Sequence, residues 1–266
     1  MRKKINPAFI FTVLALIVGV LVLNRPKFED HPVKTKQNPV QVETQALHNI
    51  NKPIIDVSGW QRPSEINYDT LAQNISGVIV RVHSGAQVSV ENDASFKNGV
   101  DKAYKEHITE FQKRNIPVAV YAYVAGKNVE EMEKAAEAFY NAASPYNPSY
   151  YWLDVEEKTM SDMNQGVEAF RAKLASLGAK NIGIYVGVYF MEEHSISVDN
   201  YSAIWIPSYG TNSGYYESAP KTDLSYDLHQ YTSHGNLGGF EHHLDLNLIS
   251  SSKNKEETFR KLFLNP

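Results

Sequence analysis

From residue 53 to residue 249 the chain alternates between short apolar runs and longer stretches in which apolar residues recur every three or four positions. The runs at 54–57 (IIDV), 77–82 (GVIVRV), 116–124 (IPVAVYAYV), 150–155 (YYWLDV), 181–187 (NIGIYVG), 203–209 (AIWIPSY), 226–232 (YDLHQYT) and 242–249 (HHLDLNLI) predict strands. Between them, three stripes predict helices facing a core. They are Phe96, Val100, Ala103, Tyr104, Ile108 and Phe111; Met132, Ala135, Ala136 and Phe139; and Met163, Val167, Phe170, Leu174 and Leu177, the last stopped by Gly178. Repeated strand–helix alternation implies a mostly parallel sheet, and about eight strands in one series favour closure into a barrel over an open sheet. The last strands follow one another with little helix between them. The predicted fold is therefore α/β, an irregular (β/α) TIM-like barrel forming a single domain over residues 51–266.

The N-terminus departs from this pattern. Residues 1–4 form a basic segment that predicts a cytoplasmic end. Residues 5–23 are almost wholly apolar and near the short end of the about 17–25 residues that span a bilayer. This segment reads as a transmembrane signal anchor; cleavage as a signal peptide is the rival, though Leu23-Asn24-Arg25-Pro26 lacks small residues at a cleavage site. Residues 24–50, with Pro26, Pro32 and Pro39, read as a polar linker. The expected location is the cell membrane, single-pass with the globular domain outside, or secretion if the segment is removed.

Composition narrows the function classes. The formal net charge is −4, with 26 Lys and Arg against 30 Asp and Glu, and no basic patch, so nucleic acid is not an expected partner. There is no cysteine, which excludes disulfides, thiolate nucleophiles and thiolate metal sites. A monomer is expected.

The candidate chemistry lies where strands end. Asp56, Asp154, Glu156 and Asp245 fall at or near the ends of the first, fourth and last runs. Residues i and i+2 of a strand share a face, so Asp154 and Glu156 point to one place. In a closed barrel the first and last strands are neighbours, which would set Asp56 beside Asp245 and opposite the other two. Carboxyls in different surroundings can divide acid from base work, as glycoside hydrolysis requires. Trp60, Tyr121, Tyr123, Tyr185, Trp205 and Tyr209 lie on or just past predicted strands and could pack on the apolar faces of sugar rings. Taken singly, each ring is accounted for equally well by core packing, and Asp56 before Ser58-Gly59 by a turn. His229, His242, His243 and Asp245 raise the possibility of a metal-dependent hydrolase, but His242 and His243 point to opposite faces of a strand, and no metal is expected.

The segments DVSGWQ (56–61), VIVRV (78–82), VAVYAYV (118–124), YWLDVE (151–156), NIGIYVG (181–187), IWIPSYG (204–210), LHQYTSHGNLGG (228–239) and LDLNLI (244–249) occur in an order that resembles glycoside hydrolase family 25, the lysozymes or N-acetylmuramidases. The resemblance spans roughly residues 53–250. It implies an irregular β/α barrel and hydrolysis of the β-1,4 bond between N-acetylmuramic acid and N-acetylglucosamine in peptidoglycan glycan strands, with no cofactor. On this resemblance Glu156 matches the general acid and Asp154 its partner carboxylate. Asp56 and Asp245 match the other acids of the pocket. Tyr123, Tyr185, Trp205, Tyr209, Gln230 and Arg81 are the expected substrate-binding residues. The sequence departs from the family's pattern at RVHSG (81–85), at Pro63 and over residues 211–222. The alternatives are a non-catalytic peptidoglycan-binding module on the same fold and a chitin-type glycosidase, whose longer acidic series before Asp154 is absent.

Overall fold

The computed structural model describes residues 37–85 and 91–264. The predicted membrane segment over 5–23 lies outside the described residues. Among the residues described, no helix is long and apolar enough to cross a membrane.

Eight strands close into a barrel in sequence order: β1 (Ile54–Val57), β2 (Gly77–His83), β3 (Val118–Tyr123), β4 (Tyr151–Val155), β5 (Ile182–Val186), β6 (Ala203–Pro207), β7 (Leu228–Gly235) and β8 (Leu244–Ile249). Neighbours from β1 to β7 pair in parallel. Strand β8 is antiparallel to both β7 and β1. The closed barrel and its irregularity at the last strands agree with the alternation in the sequence.

The helices are α1 (Pro39–His48), α2 (Tyr68–Ala72), α3 (Tyr104–Lys113), α4 (Val129–Ala143), α5 (Met163–Leu177), α6 (Val188–Glu193) and α7 (Lys255–Phe259). Five of them begin at a side-chain cap: Asn38 accepts from Val40 N, Asn67 from Thr70 N, Asn128 from Glu131 N, Asp162 from Gln165 N and Asn254 from Glu257 N, each satisfying a donor the helix leaves open. Helix α5 ends at Gly178, as its sequence predicts.

Two sequence expectations require correction. The stripe beginning at Phe96 is not helical until Tyr104. Residues 92–101 are pinned instead as a loop by Asn92, which accepts from Ala94 N and Ser95 N, and by Gly99 at φ +85°. The predicted linker over 24–50 contains helix α1, capped by Asn38, with Val42 and Ala46 buried. Its polar residues are used rather than solvated. Gln37 and Gln45 donate to the carbonyls of Gln112 and Arg114 at 2.8 and 2.9 Å.

Strand alternation divides the core in two. Outward residues such as Val78, Val80, Val120, Leu153 and Ile184 pack beneath the helices with Phe111, Phe139 and Phe170. Inward residues Ile54, Ile79, Ala119, Trp152, Tyr185, Ala203, Trp205, Leu228 and Ile249 fill the barrel. The Trp152 ring occupies space that only a glycine on the next strand leaves, since a Cβ on Gly183 would lie 2.4 Å from it. At the base, where the parallel strands begin, Ala46, Phe259, Leu262 and Phe263 close the barrel, with the Phe259 and Phe263 rings stacked 5.0 Å apart.

Candidate active site

One step further along each strand, the barrel interior turns polar. Following the inward alternation, Ile54 gives way to Asp56 on β1, Ile79 to Arg81 on β2, Ala119 to Tyr121 on β3, Trp152 to Asp154 on β4 and Leu228 to Gln230 on β7. Strand β8 runs the other way, so its start, not its end, reaches the mouth. Asp245 is there the direct register partner of Asp56, and Asn247 lies one inward step below, opposite Ile54 and Gln230.

These side chains line a cavity of about 190 Å³ at the mouth: Asp56, Tyr121, Asp154, Glu156, Tyr185, Trp205, Tyr209, Gln230 and Asp245. The four acids named from the sequence are all in it, as are Tyr185, Trp205, Tyr209 and Gln230. Tyr123 stands at the rim, where its hydroxyl donates to Glu157 Oε2 at 2.9 Å. Arg81 does not line the cavity; its Nε donates to Asp101 Oδ2 at 2.9 Å, and Asp101 is fully buried.

The polar contacts form one chain. Tyr185 and Tyr209 donate to Gln230 Oε1 at 2.8 and 2.5 Å. With its carbonyl so occupied, Gln230 turns its amide to Asp56 and donates to Oδ2 at 2.9 Å. Asn247 donates to the same oxygen at 2.8 Å. Asp56 is therefore a carboxylate with charge-stabilising donors supplied by the protein. Asp154 has no comparable support. Its Oδ1 is buried and accepts no hydrogen bond among the described residues.

Burial shifts the proton affinities of all four acids upward, and neighbouring carboxylates add to the shift. Burial pushes Asp56 up to about 6, against the lowering effect of the Asn247 and Gln230 donors. Asp245 is pushed up to about 8 by burial and then by the charges of Asp56 and Glu156. Burial first, then Glu156 and Asp56, hold Asp154 well above the ordinary carboxylate range, with Arg81 opposing. Glu156 is raised by burial and by neighbouring Glu157. Each ionised carboxyl in the cavity makes its neighbours harder to ionise, so they titrate as a group and not singly.

The sequence reading missed Asn247 and Asp101. Asn247 had a signal: it shares the inward face of β8 with Asp245 by the period of two. Asp101 had none, since it reaches Arg81 from a loop whose apolar spacing imitates a helix. The histidines do not gather. His229 Nε2 meets Ser208 O at 2.8 Å, His242 is exposed near Glu65, and His243 packs on the His234 ring. Among the described residues no three His, Asp or Glu side chains are placed to hold a metal ion.

A β/α barrel whose mouth gathers carboxyls of displaced proton affinity between aromatic walls defines a glycoside hydrolase type of site. The profile of Glycosyl hydrolases family 25 matches residues 55–240, and the chain belongs to that family. Among solved structures, a glycosyl hydrolase 25 of Streptococcus pneumoniae, described as a virulence factor participating in host cell invasion, is 75% identical. The match covers 86% of this chain and 100% of that one, with a TM-score of 0.84. The catalytic domain of an endolysin from a Listeria monocytogenes bacteriophage shares the fold at 22% identity and a TM-score of 0.66, over 79% of this chain and 97% of that one. A bacterial lysozyme from Streptomyces coelicolor shares it at 16% identity and a TM-score of 0.58, over 79% and 98%. No curated protein matches the chain. The chain is thus a glycoside hydrolase of the lysozyme family.

Proposed function

We propose that this enzyme hydrolyses the β-1,4 bond between N-acetylmuramic acid and N-acetylglucosamine in peptidoglycan, with Glu156 as general acid and Asp154 as its partner. The observation that carries this reading is the convergence of Asp56, Asp154, Glu156 and Asp245 in one mouth cavity walled by Tyr121, Tyr185, Trp205 and Tyr209. The endolysin and lysozyme relatives support the choice of a wall polymer as substrate.

Glu156 sits just past β4, less enclosed than Asp154, where the bridging oxygen of a strand laid over the mouth comes within reach. Its raised proton affinity keeps it able to donate. As its proton passes to the bridging oxygen, the bond from the anomeric carbon to that oxygen breaks and positive charge develops on the sugar. Asp154 faces that charge. Its donor-less Oδ1 is an acceptor suited to an N–H of the substrate's acetamido group, which fixes that group beside the anomeric carbon. Water then supplies a hydroxyl to the anomeric carbon and returns its proton to Glu156. Asp56, locked by Gln230 and Asn247, contributes fixed negative charge, while Asp245 holds its proton. Arg81, behind the wall, limits the rise of Asp154 and so helps it ionise as the transition state forms.

Export follows from the same reading, since peptidoglycan lies outside the membrane. The apolar segment over 5–23 would carry the domain there and tether it if retained.

The test is digestion of purified peptidoglycan by the full chain, with mass spectrometry of the reduced products. N-acetylmuramic acid at the new reducing ends is expected. N-acetylglucosamine there would reassign the bond, and intact strands that still bind the protein would make it a wall-binding module.

A further inference from the structure

Large apolar side chains left in solvent are unevenly placed on this molecule. Among the described residues they are Val40, Trp60, Phe96, Tyr189, Tyr215 and Tyr216. Only Val40 lies at the base, on α1. Tyr216 is accounted for by packing on the His229 and Tyr231 rings outside β7. The rest follow strand ends at the mouth, and the two most telling occupy matching positions. Trp60 comes three residues after the end of β1 and is 57% exposed; Tyr189 comes three residues after the end of β5 and is 87% exposed. In a barrel of eight strands in sequence order, β1 and β5 are diametrically opposite.

Trp60 is held out rigidly. Its loop is tied from beneath by two fully buried side chains. Asp101 Oδ2 accepts from Gly59 N at 2.8 Å, and His107 Nε2 donates to Ser58 O at 3.1 Å. Ser58 O can only accept, so the neutral His107 ring carries its proton on Nε2, and its Nδ1 accepts from the Tyr68 hydroxyl at 2.8 Å. Gln61 Oε1 accepts from Ser58 N at 2.9 Å on the loop's other side. A Cβ on Gly59 would lie 2.5 Å from Ala94 O, so the loop is pressed against its neighbour. A loop this constrained could have buried its tryptophan but presents it to solvent, which is how a preorganised contact surface is built. Each ring is also close to the mouth cavity: four residues from Trp60 back to Asp56, and four from Tyr189 back to Tyr185, both of which line it, limit either Cα separation to about 14 Å of chain.

We infer that Trp60 and Tyr189 are stacking platforms for sugar rings on opposite flanks of the mouth, so that a linear glycan strand crosses the barrel from the β1 side to the β5 side. This rests on the glycan-cleaving reading above and adds the path of the strand. The occupant is the glycan backbone itself, which offers apolar ring faces to the two platforms, while the cavity crowded with carboxyls disfavours bringing its anionic lactyl groups inward.

The experiment uses the full chain with glycan strands of alternating N-acetylglucosamine and N-acetylmuramic acid, stripped of peptide and separated into long strands and tetrasaccharide. Trp60→Ala and Tyr189→Ala are each expected to raise KM on long strands about threefold to tenfold, the range for one lost aromatic contact, with kcat unchanged. Tetrasaccharide KM should move less than that of long strands, and Trp60→Phe and Tyr189→Phe should restore KM. A double alanine variant with wild-type KM on long strands overturns the inference, as does an equal loss on tetrasaccharide. Binding is read separately as the shift in tryptophan emission on adding long strands to Glu156→Gln. That shift should vanish when Trp60→Phe is added; its survival would assign the signal to Trp205 and overturn the inference. A wild-type chain that cleaves nothing defeats the hydrolytic reading alone, because the emission measurement still decides whether Trp60 meets the strand.

Discussion

The two ends of the barrel are built from the same strands yet follow opposite rules. At the base, Phe259, Leu262, Phe263 and Ala46 close the interior with apolar contact. At the mouth, the next inward residues include acids with raised proton affinities, one of which leaves a buried oxygen without a donor. Burial at the base stabilises, whereas burial at the mouth raises the energy of charge and stores it where a proton must be given up. The contrast teaches that this fold separates stability and reactivity along a single axis. Substitutions at the two ends should accordingly move different observables.

The largest effect belongs to the mouth. Glu156→Gln should lower turnover on peptidoglycan by about 10²–10⁴-fold while the melting temperature stays put, since the amide keeps the shape but has no acidic proton. Near-normal turnover would remove Glu156 as the acid. In the wild type, activity should fade on the alkaline side as Glu156 deprotonates, and a rate that climbs steadily into alkali would argue against a carboxyl donor.

Next comes the base. Phe263→Ala removes a fully enclosed ring and should destabilise by about 3–5 kcal/mol, read by denaturant titration, with kcat per folded molecule intact. A selective loss of kcat would show that the two ends are coupled.

A smaller effect separates charge from packing at the mouth. Asp245 binds its proton near 8 when folded, against 3.8 ordinarily. A carboxyl with a raised folded-state affinity contributes stability that is complete below its unfolded value and is lost as pH rises through the folded one. Wild-type stability should thus decline between about pH 4 and 8, and Asp245→Asn should melt a few degrees higher than wild type at pH 8 with the gap closing toward pH 4. A gap independent of pH would mean packing, not charge, governs this position.

The smallest effect is expected of Glu43→Ala, which opens the exposed Arg260–Glu43 pair between α1 and the C-terminal turn. Its cost should stay below about 1 kcal/mol.

Strand order and closure were legible because each strand carries its own apolar run with an inward period of two. The same period brought Asp56 and Asp245 together once the first and last strands were made neighbours. The antiparallel sense of β8 was not legible, since pairing direction is set by the connection, and the 228–249 stretch reads alike either way. Nor could periodicity reveal that residues 96–103 form a loop. Their spacing suits a helix, but Gly99 and the Asn92 turn override it. Arg81 shows a different limit: the pattern turned it inward, but a contact with distant Asp101 decides where its guanidinium rests.

Helices α1 and α7 meet beneath the barrel, on the side away from the acids. Both ends of the described domain therefore leave from the sealed pole. A carrier joined directly at residue 37 or residue 264 would depart from that pole and leave the opposite opening clear for a long polymer to slide across.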